Sequence, residues 1–430
     1  MSSGARMHKA CLLLAYRIQN SKSAHIHKQR TIQDMITELR LQNWKSFSDA
    51  KLYIDPITII IGTNASGKSN IFDALKLLCA LASPADVAEI AKDVRGGAEG
   101  IIRRGQNNCT LTAVMDTDKA KEQLTYTIEL GFDNQKNICV KGEKLILSNT
   151  CTKTDLTLFE TKELDKNNPS MVSVALYTEG KPRSQNFPVK SSILSQIEYV
   201  NCNRKIKDAA EAVTANFKKI RLANPIPERM RDFAPLSKNL AEDASNLAGY
   251  LANLSSETQS QTYDAIMKYL RPLPDKDIKS IRAEKVPLTD MAMLFCTEEW
   301  QEGVTQAQSA RGMSDGTLRF AGIIAMLVTA ENNSLVLLEE LDKGVHPSRA
   351  KNLVTMLNEI GRQKQLDIIC TTHNATFVDE LGPQMIPFIS YVKRNESNGC
   401  TDIRLLEENE KLARLMATKS VGDMMTNNDL

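Results

Sequence analysis

Within "IIIGTNASGKSN", Ile59 to Asn70, residues Gly62, Gly67, Lys68 and Ser69 satisfy G-x-x-x-x-G-K-[ST], the pattern of a polyphosphate-binding loop. A polyphosphate needs several backbone N–H groups pointing inward, and glycine lets the chain curl tightly enough to supply them. Lys68 is then suited to the β- and γ-phosphates and the Ser69 hydroxyl to Mg²⁺. A second set of residues lies far down the chain. "SLVLLEE", Ser334 to Glu340, is an apolar run ending in two carboxylates. Glu339 is read as orienting Mg²⁺ through its water shell and Glu340 as polarising an attacking water. In "GMSDGTLRF", Ser314 and Gly316 open an apolar helix. A serine cap followed by a small residue leaves backbone N–H groups available to an anion. "TTHNATF" puts His373 just past another apolar run, in reach of a γ-phosphate. Apart from the loop, each short piece taken singly has a plain reading, as a helix cap, a strand ending in acids or a structural histidine.

These residues need elements to hold them. "ITIII", Ile57 to Ile61, reads as a buried parallel strand. After the loop, Ile71, Ala74, Leu75 and Leu78 fall on one face of a helix. Strand, glycine turn and helix are the context the loop requires, and the helix N-terminus adds a field that favours phosphate. Strands are expected at 36–41 and 50–54, and 109–115, 124–131 and 138–147 alternate like a β-meander. Residues 150–190 are polar and weakly patterned. From about 205 to 272 the spacing turns helical, broken by "NPIPER" at Asn224 to Arg229. "SLVLLEE", a helix marked by Leu353, Met356, Leu357 and Ile360, and the strand "DIICTT" predict a parallel strand–helix–strand unit. Glu339, Glu340 and His373 then lie at carboxyl ends of strands, where open α/β sheets bind ligands. No internal repeat is visible.

The chain has 430 residues, 42% hydrophobic and 25% charged, which suits a soluble globular protein. Nine scattered cysteines without a C-x-x-C disfavour a disulfide framework and a structural zinc site, and fit reduced cytoplasmic thiols. No apolar run approaches a membrane span. Residues 1–34 carry a net charge of +5 against +2 for the whole, leaving −3 for the rest. Any nucleic-acid contact must therefore be local. "NRKIKD", "KKIR" and "IIRRG" (Ile101 to Gly105) are the candidate patches, although such runs are more often solvated helix faces. "CLLLAY" resembles a signal-peptide core but is short and lacks a clear cleavage site. The globular pattern begins at Met35, so residues 1–34 read as a basic tail or an upstream extension.

In order, "NWKSFSD", "GTNASGKSN" with Asn64 and Asn70, "SDGTLRF", "LLEELDKGVHP" and "TTHNATF" resemble the opening strand turn, Walker A, signature, Walker B with D-loop, and switch-histidine segments of ABC-type ATPases of the SMC, RecF and OLD kind. The resemblance spans about Met35 to Glu408. It implies an α/β fold, a P-loop ABC-type ATPase head with a mixed sheet, a β-meander lobe and a helical insertion. The expected division is 1–34 tail, 35–200 N-terminal lobe, 201–280 helical insertion, 281–415 C-terminal lobe and 416–430 tail. It also implies ATP and Mg²⁺ as cofactors, with Gly62, Asn64, Gly67, Lys68, Ser69 and Asn70 on the nucleotide, Ser69 and Glu339 on the metal, and Glu340 and His373 in catalysis. Two heads would sandwich two ATPs, so that Ser314 and Gly316 act on the partner's nucleotide in a homodimer or higher oligomer. Leu341 stands where the family often has proline, Ala65 where it usually has glycine, and no Q-loop glutamine is evident. No long heptad repeat or C-x-x-C hook appears, and the chain ends soon after its last strand-like segment, without room for an OLD nuclease. Compact ATPases of this subgroup look like those of bacterial phage-defence operons, where a separate nuclease or toxin is the effector. A RecF-like DNA-repair ATPase is the alternative. A transporter subunit is disfavoured by the long span from Ser69 to Ser314.

Overall fold

The computed structural model describes residues 35–430 except 118, 120, 165–167, 169, 178–181, 272–277, 396 and 428. The basic segment 1–34, including "CLLLAY", lies outside the described residues. The chain divides into two compact units, one of residues up to 220 with 387–418 and 430, the other of 221–386 with 419–429.

The first unit is built on a mixed sheet. Its strands are β1 (Met35–Trp44), β2 (Phe47–Tyr53), β3 (Ile57–Ile61), β4 (Asn108–Asp116), β5 (Glu122–Phe132), β6 (Ile138–Asn149), β7 (Thr154–Leu164), β8 (Met171–Leu176) and β9 (Arg183–Pro188). Two later strands join them, β17 (Ile389–Arg394) and β18 (Thr401–Leu405). Their order is β3-β17-β18-β2-β1-β4-β5-β6-β7-β8-β9. β17 runs parallel to β3 in the register Ile389↔Ile59, and β18 parallel to β2. From β1 to β9 the pairing is antiparallel throughout. β3 is buried along its whole length, which explains why its sequence is uniformly apolar. β5 alternates instead, with Leu124, Tyr126, Ile128 and Leu130 buried.

The weakly patterned stretch 150–190 folds as β7, β8 and β9. Five of the six residues of β9 are exposed. A strand at the rim buries few side chains, so apolar alternation has little reason to appear in its sequence.

One buried acid ties the meander to the segment that follows it. Glu143 on β6 accepts hydrogen bonds from the Tyr126 hydroxyl (2.9 Å), the Ser192 hydroxyl (3.2 Å) and the backbone N–H groups of Ile193 and Leu194 (2.7 Å each). Burial pushes its carboxyl up to about 7, against the pull of those four donors. The helix Arg204–Lys218 then packs on the meander, its Phe217 ring edge-on to Tyr126 with centroids 5.5 Å apart.

The second unit holds β10 (Ile220–Ala223), which the division cuts after its first residue, β15 (Leu335–Leu338) and β16 (Asp367–Thr372), in the order β10-β15-β16. β15 and β16 are parallel, Leu335 opposite Asp367, and the helix Ala350–Lys364 connects them. A smaller antiparallel sheet contains β11 (Ala234–Pro235), β12 (Ile278–Lys285), β13 (Met291–Gln301) and β14 (Val304–Ser309). The helices Leu247–Asn253 and Ser256–Leu270 fill part of the stretch with helical spacing, which holds β10 and β11 before them, and Ser256–Leu270 packs against the helix Asp315–Thr329.

Candidate nucleotide-binding and hydrolytic residues

In the first unit, β3 leads into the loop 62–67 and the helix Lys68–Leu81, whose predicted face Ile71, Ala74, Leu75 and Leu78 is buried. Both glycines are required by geometry. Gly62 has φ +153, and a Cβ there would run into the Val392 carbonyl. Gly67 has φ +110, and a Cβ there would meet Ser46 Oγ at 2.9 Å and Thr401 Oγ1 at 3.1 Å. Ala65 also lies in the left-handed region, at φ 61, where the usual glycine would rest without strain.

Lys68 Nζ donates to the loop's own carbonyls, Gly62 at 2.7 Å and Thr63 at 2.8 Å. The amine therefore sits over the mouth of the turn. The Thr401 hydroxyl donates to the Ser66 carbonyl at 3.0 Å. From the end of β1, Trp44 Nε1 donates to the Asn70 carbonyl (2.8 Å), and Asn70 Nδ2 donates to Ser46 Oγ in the β1–β2 turn (3.0 Å). Lys45 Nζ and Arg95 Nε both bind the buried carboxylate of Asp73, at 2.6 and 2.9 Å, and Arg95 also donates to the Ser69 carbonyl. This brace of Lys45, Asp73 and Arg95 had no signal in the sequence, because Asp73 lies opposite the face of Ile71, Ala74, Leu75 and Leu78, where an acid reads as solvated, and yet it is buried. A cleft of about 750 Å³ opens beside the turn, lined by Ala65 and Asn70 and by five cations, Lys45, Arg95, Arg103, Arg104 and Arg394, against one acid, Glu99.

The second unit carries the acids and the signature segment. Glu339 and Glu340 follow β15, and His373 follows β16. The parallel register Leu338↔Cys370 sends all three out of the same end of neighbouring strands. Glu340 and His373 are exposed and Glu339 is half-buried. Glu340 has φ 50, left-handed for a residue with a Cβ, and its N–H donates to Thr371 Oγ1 at 3.0 Å. Ser314 caps the helix Asp315–Thr329, its hydroxyl accepting from the Thr317 N–H. Arg231 Nη1 donates to the carbonyls of Ala310, Arg311 and Met313 at 2.8–3.0 Å, and Nη2 pairs with Asp315. Gly344, at φ +80, lies so close to Gly316 that a Cβ would stand 3.2 Å from its Cα. Arg231 and Gly344 had no motif to announce them. Arg319 did have a signal, a lone charge in "TLRFAGIIAMLV". It is 3% exposed.

The loop geometry fits a polyphosphate, because the two glycines hold positive φ in a turn packed too closely for a Cβ, and that turn leads straight into the N-terminus of the helix Lys68–Leu81. Among the described residues no group of three or more His, Cys, Asp or Glu could hold a metal alone. Mg²⁺ is commonly held by one or two protein oxygens together with substrate phosphates, and the Ser69 hydroxyl in the first unit and the Glu339 carboxylate in the second are each an oxygen donor of that kind.

A family profile described as "AAA domain, putative AbiEii toxin, Type IV TA system" matches residues 57–379. An ATP/GTP phosphatase of Helicobacter pylori is 23% identical over 372 residues, 81% of this chain and 87% of that protein. Structural maintenance of chromosomes protein 2 of Saccharomyces cerevisiae is 29% identical over 187 residues, 41% of this chain and 15% of that protein. DNA replication and repair protein RecF of Natranaerobius thermophilus is 31% identical over 119 residues, 27% of each chain. Among solved structures, an Smc head bound to the C-winged helix domain of ScpA has a TM-score of 0.46 at 16% identity, covering 86% of this chain and 97% of that one. An Smc head with an extended coiled coil, bound to the C-terminal domain of ScpA derived from Pyrococcus furiosus, has a TM-score of 0.44 at 14% identity, covering 90% and 100%. With its profile match running from the strand before the phosphate loop to the helix after His373, the chain belongs to the AAA-domain family described as putative AbiEii toxins of type IV toxin–antitoxin systems, and its ATPase is of the SMC and RecF kind.

Proposed function

We propose that this protein is an ATP-driven switch in antiviral defence. Two copies join on ATP, hydrolysis parts them, and a separate nuclease or toxin answers to the joined state. The observation that carries the reading is the loop 62–67, where two glycines without room for a Cβ open onto the N-terminus of the helix Lys68–Leu81. In this mechanism Lys68 leaves the carbonyls of Gly62 and Thr63 for the β- and γ-phosphates. Asn64 and Asn70 border the nucleotide. Ser69 and Glu339 would hold Mg²⁺, which when bound offsets the phosphates' negative charge. Glu340 orients water and takes its proton, and His373 contacts the γ-phosphate. Ser314 and Gly316 act on the nucleotide of the second copy. The name of the Helicobacter pylori relative supports nucleotide hydrolysis, and the family's description supports a toxin–antitoxin setting. A cytoplasmic location suits that role.

Complementation in trans tests it. Ser314→Arg is expected to bind ATP and not turn over, and Lys68→Ala to bind poorly. A mixture of the two should recover part of the activity, because one composite site is then intact. No recovery across a range of mixing ratios would overturn the head-to-head arrangement.

The five-cation cleft favours a second reading, in which DNA contacts the switch as it would a RecF-like repair ATPase. Arg104→Ala is then expected to weaken DNA binding and lower the slope of log affinity against log salt by about one. An unchanged slope would remove Arg104 from such a contact.

A further inference from the structure

Arg319 is a buried guanidinium in the middle of an apolar helix face. Such a group is costly to keep dry and is usually found paired with a carboxylate. Here, among the described residues, its hydrogen bonds run to main-chain carbonyls and one side-chain amide, none to a carboxylate. Nη1 donates to the Pro225 carbonyl at 2.7 Å and reaches Asn224 Oδ1 at 3.5 Å, while Nη2 donates to the carbonyls of Glu339 (2.8 Å) and Glu340 (3.3 Å). Nε is buried without an acceptor. Burial pulls the guanidinium below the usual arginine value, and Glu340, Asp342 and Glu339 pull it back up. Those carboxylates favour the charge, while the directional contacts fix the backbone beneath them.

That backbone is the part of the second unit that needs fixing. At φ 50, Glu340 occupies a region unfavourable to any residue with a Cβ, and such a conformation persists only when its surroundings enforce it. Two side-chain ties, one at each end of the residue, add to the bond that the Lys343 N–H makes to its carbonyl at 2.9 Å inside the turn. Thr371 Oγ1 receives its N–H, and Arg319 Nη2 holds its carbonyl. Release of either tie would let the turn relax toward right-handed or extended backbone, and the carboxylate would swing with it.

We infer that Arg319 is a positioning residue that holds the left-handed turn at Glu340 and couples its aim to the helix capped by Ser314. The inference rests on the reading of Glu340 as the group that activates water. Arg319 grows from that helix and grips both acidic residues through their carbonyls. A displacement of the helix along its axis therefore passes to the turn through one rigid planar group. Hydrolysis thereby becomes conditional on where the segment Ser314–Gly316 sits. The conservative replacement should fail for a geometric reason, because one ammonium cannot span Pro225 on one side and two carbonyls on the other.

The test compares Arg319→Lys, Thr371→Val, their combination and Glu340→Gln in the full chain. Turnover at saturating MgATP, ATP affinity and melting temperature are measured for each. Arg319→Lys is expected to lower kcat 10- to 100-fold while ATP affinity stays within threefold and the protein stays folded. Thr371→Val is expected to do the same more weakly. Because both ties act on one turn, the double variant should fall little further than Arg319→Lys alone. Turnover within twofold of wild type in folded Arg319→Lys overturns the inference, as does a loss wholly explained by weakened ATP binding. If Arg319→Lys does not fold, Thr371→Val decides, and full turnover there is the overturning result. Glu340→Gln separates the two levels. If it hydrolyses normally, the reading of Glu340 fails. If it is inactive while Arg319→Lys turns over normally, only the positioning role of Arg319 fails.

Discussion

The phosphate loop and the acidic turn both follow the carboxyl ends of parallel strands, yet they are held by opposite means. The loop 62–67 takes its shape mainly from its own residues, with one outside tie, the Thr401 hydroxyl on the Ser66 carbonyl. Gly62 and Gly67 supply the conformation, and Lys68 folds back on two carbonyls of the loop it terminates. The turn at Glu340 has no glycine. A residue with a Cβ stands in left-handed backbone there and, besides the Lys343 N–H within the turn, is held by Thr371 and by Arg319, 21 positions back along the chain. A turn built on glycine keeps its shape when its neighbours move. A turn held by distant side chains keeps its shape only while they stay in place. The first suits a binding element, which must be ready before the ligand arrives. The second suits a catalytic element that has to respond.

The sharpest way to break this comparison is to neutralise the acid. Glu340→Gln keeps shape and hydrogen-bonding reach but loses the charge, so turnover should fall by about 10²–10⁴-fold with ATP affinity retained. Hydrolysis near the wild-type rate would show that another group activates the water. Lys68→Ala should act on the other side of the comparison, weakening ATP binding by about 10²-fold because a charge-assisted contact to the phosphates is lost. Calorimetry reads this directly, and unchanged affinity would sever the loop from the nucleotide.

The next prediction concerns stability away from both turns. Replacing Glu143 with alanine strands the donors of Tyr126, Ser192, Ile193 and Leu194, and should cost about 1–3 kcal/mol. Its pH behaviour has a definite sign. Burial raises the carboxyl from 4.5 to about 7, so the folded protein holds this proton more tightly than the unfolded chain. The resulting stability is fully present below pH 4.5 and is lost as pH rises through 7. Against a Glu143→Gln reference, wild-type stability should therefore decline between these values. A flat difference would mean that the four donors hold the group ionised throughout.

The smallest effect expected is a gain. Ala65→Gly should stabilise the loop by about 1 kcal/mol by removing a Cβ from left-handed backbone. A loss instead would show that Ala65 makes a contact worth more than its strain.

The same contrast explains what could be read in the sequence. The phosphate loop, its strand and its helix are encoded in one continuous stretch by residue types that leave little choice of conformation. β15 with its paired acids was equally plain, because a buried strand shows as unbroken apolar residues. β9 was not, because it lies largely exposed and carries no alternation, whereas β8 does alternate, with Val172 and Val174 buried, and was there to be read. Lys45 and Arg95 reach Asp73 from 28 and 22 positions away, and no spacing rule links residues so separated. Arg231 grips the carbonyls of 310–313 from a loop about 80 positions earlier. Such contacts exist only once the chain has folded, and an isolated arginine looks the same whether it serves solvent or structure.

Gly344 and Gly316 meet with no side chain between them. Any substitution at Gly344 sets a Cβ 3.2 Å from the Gly316 Cα, so that Gly316 must give way, and also forces that Cβ into φ +80. In a saturation library scored for turnover, this position should therefore tolerate none of its substitutions. Its exposed neighbour Lys343 should accept most of them. The junction would appear in such a map as a sharply bounded single-residue minimum, unlike the graded tolerance of a packed core, where one apolar side chain can stand in for another.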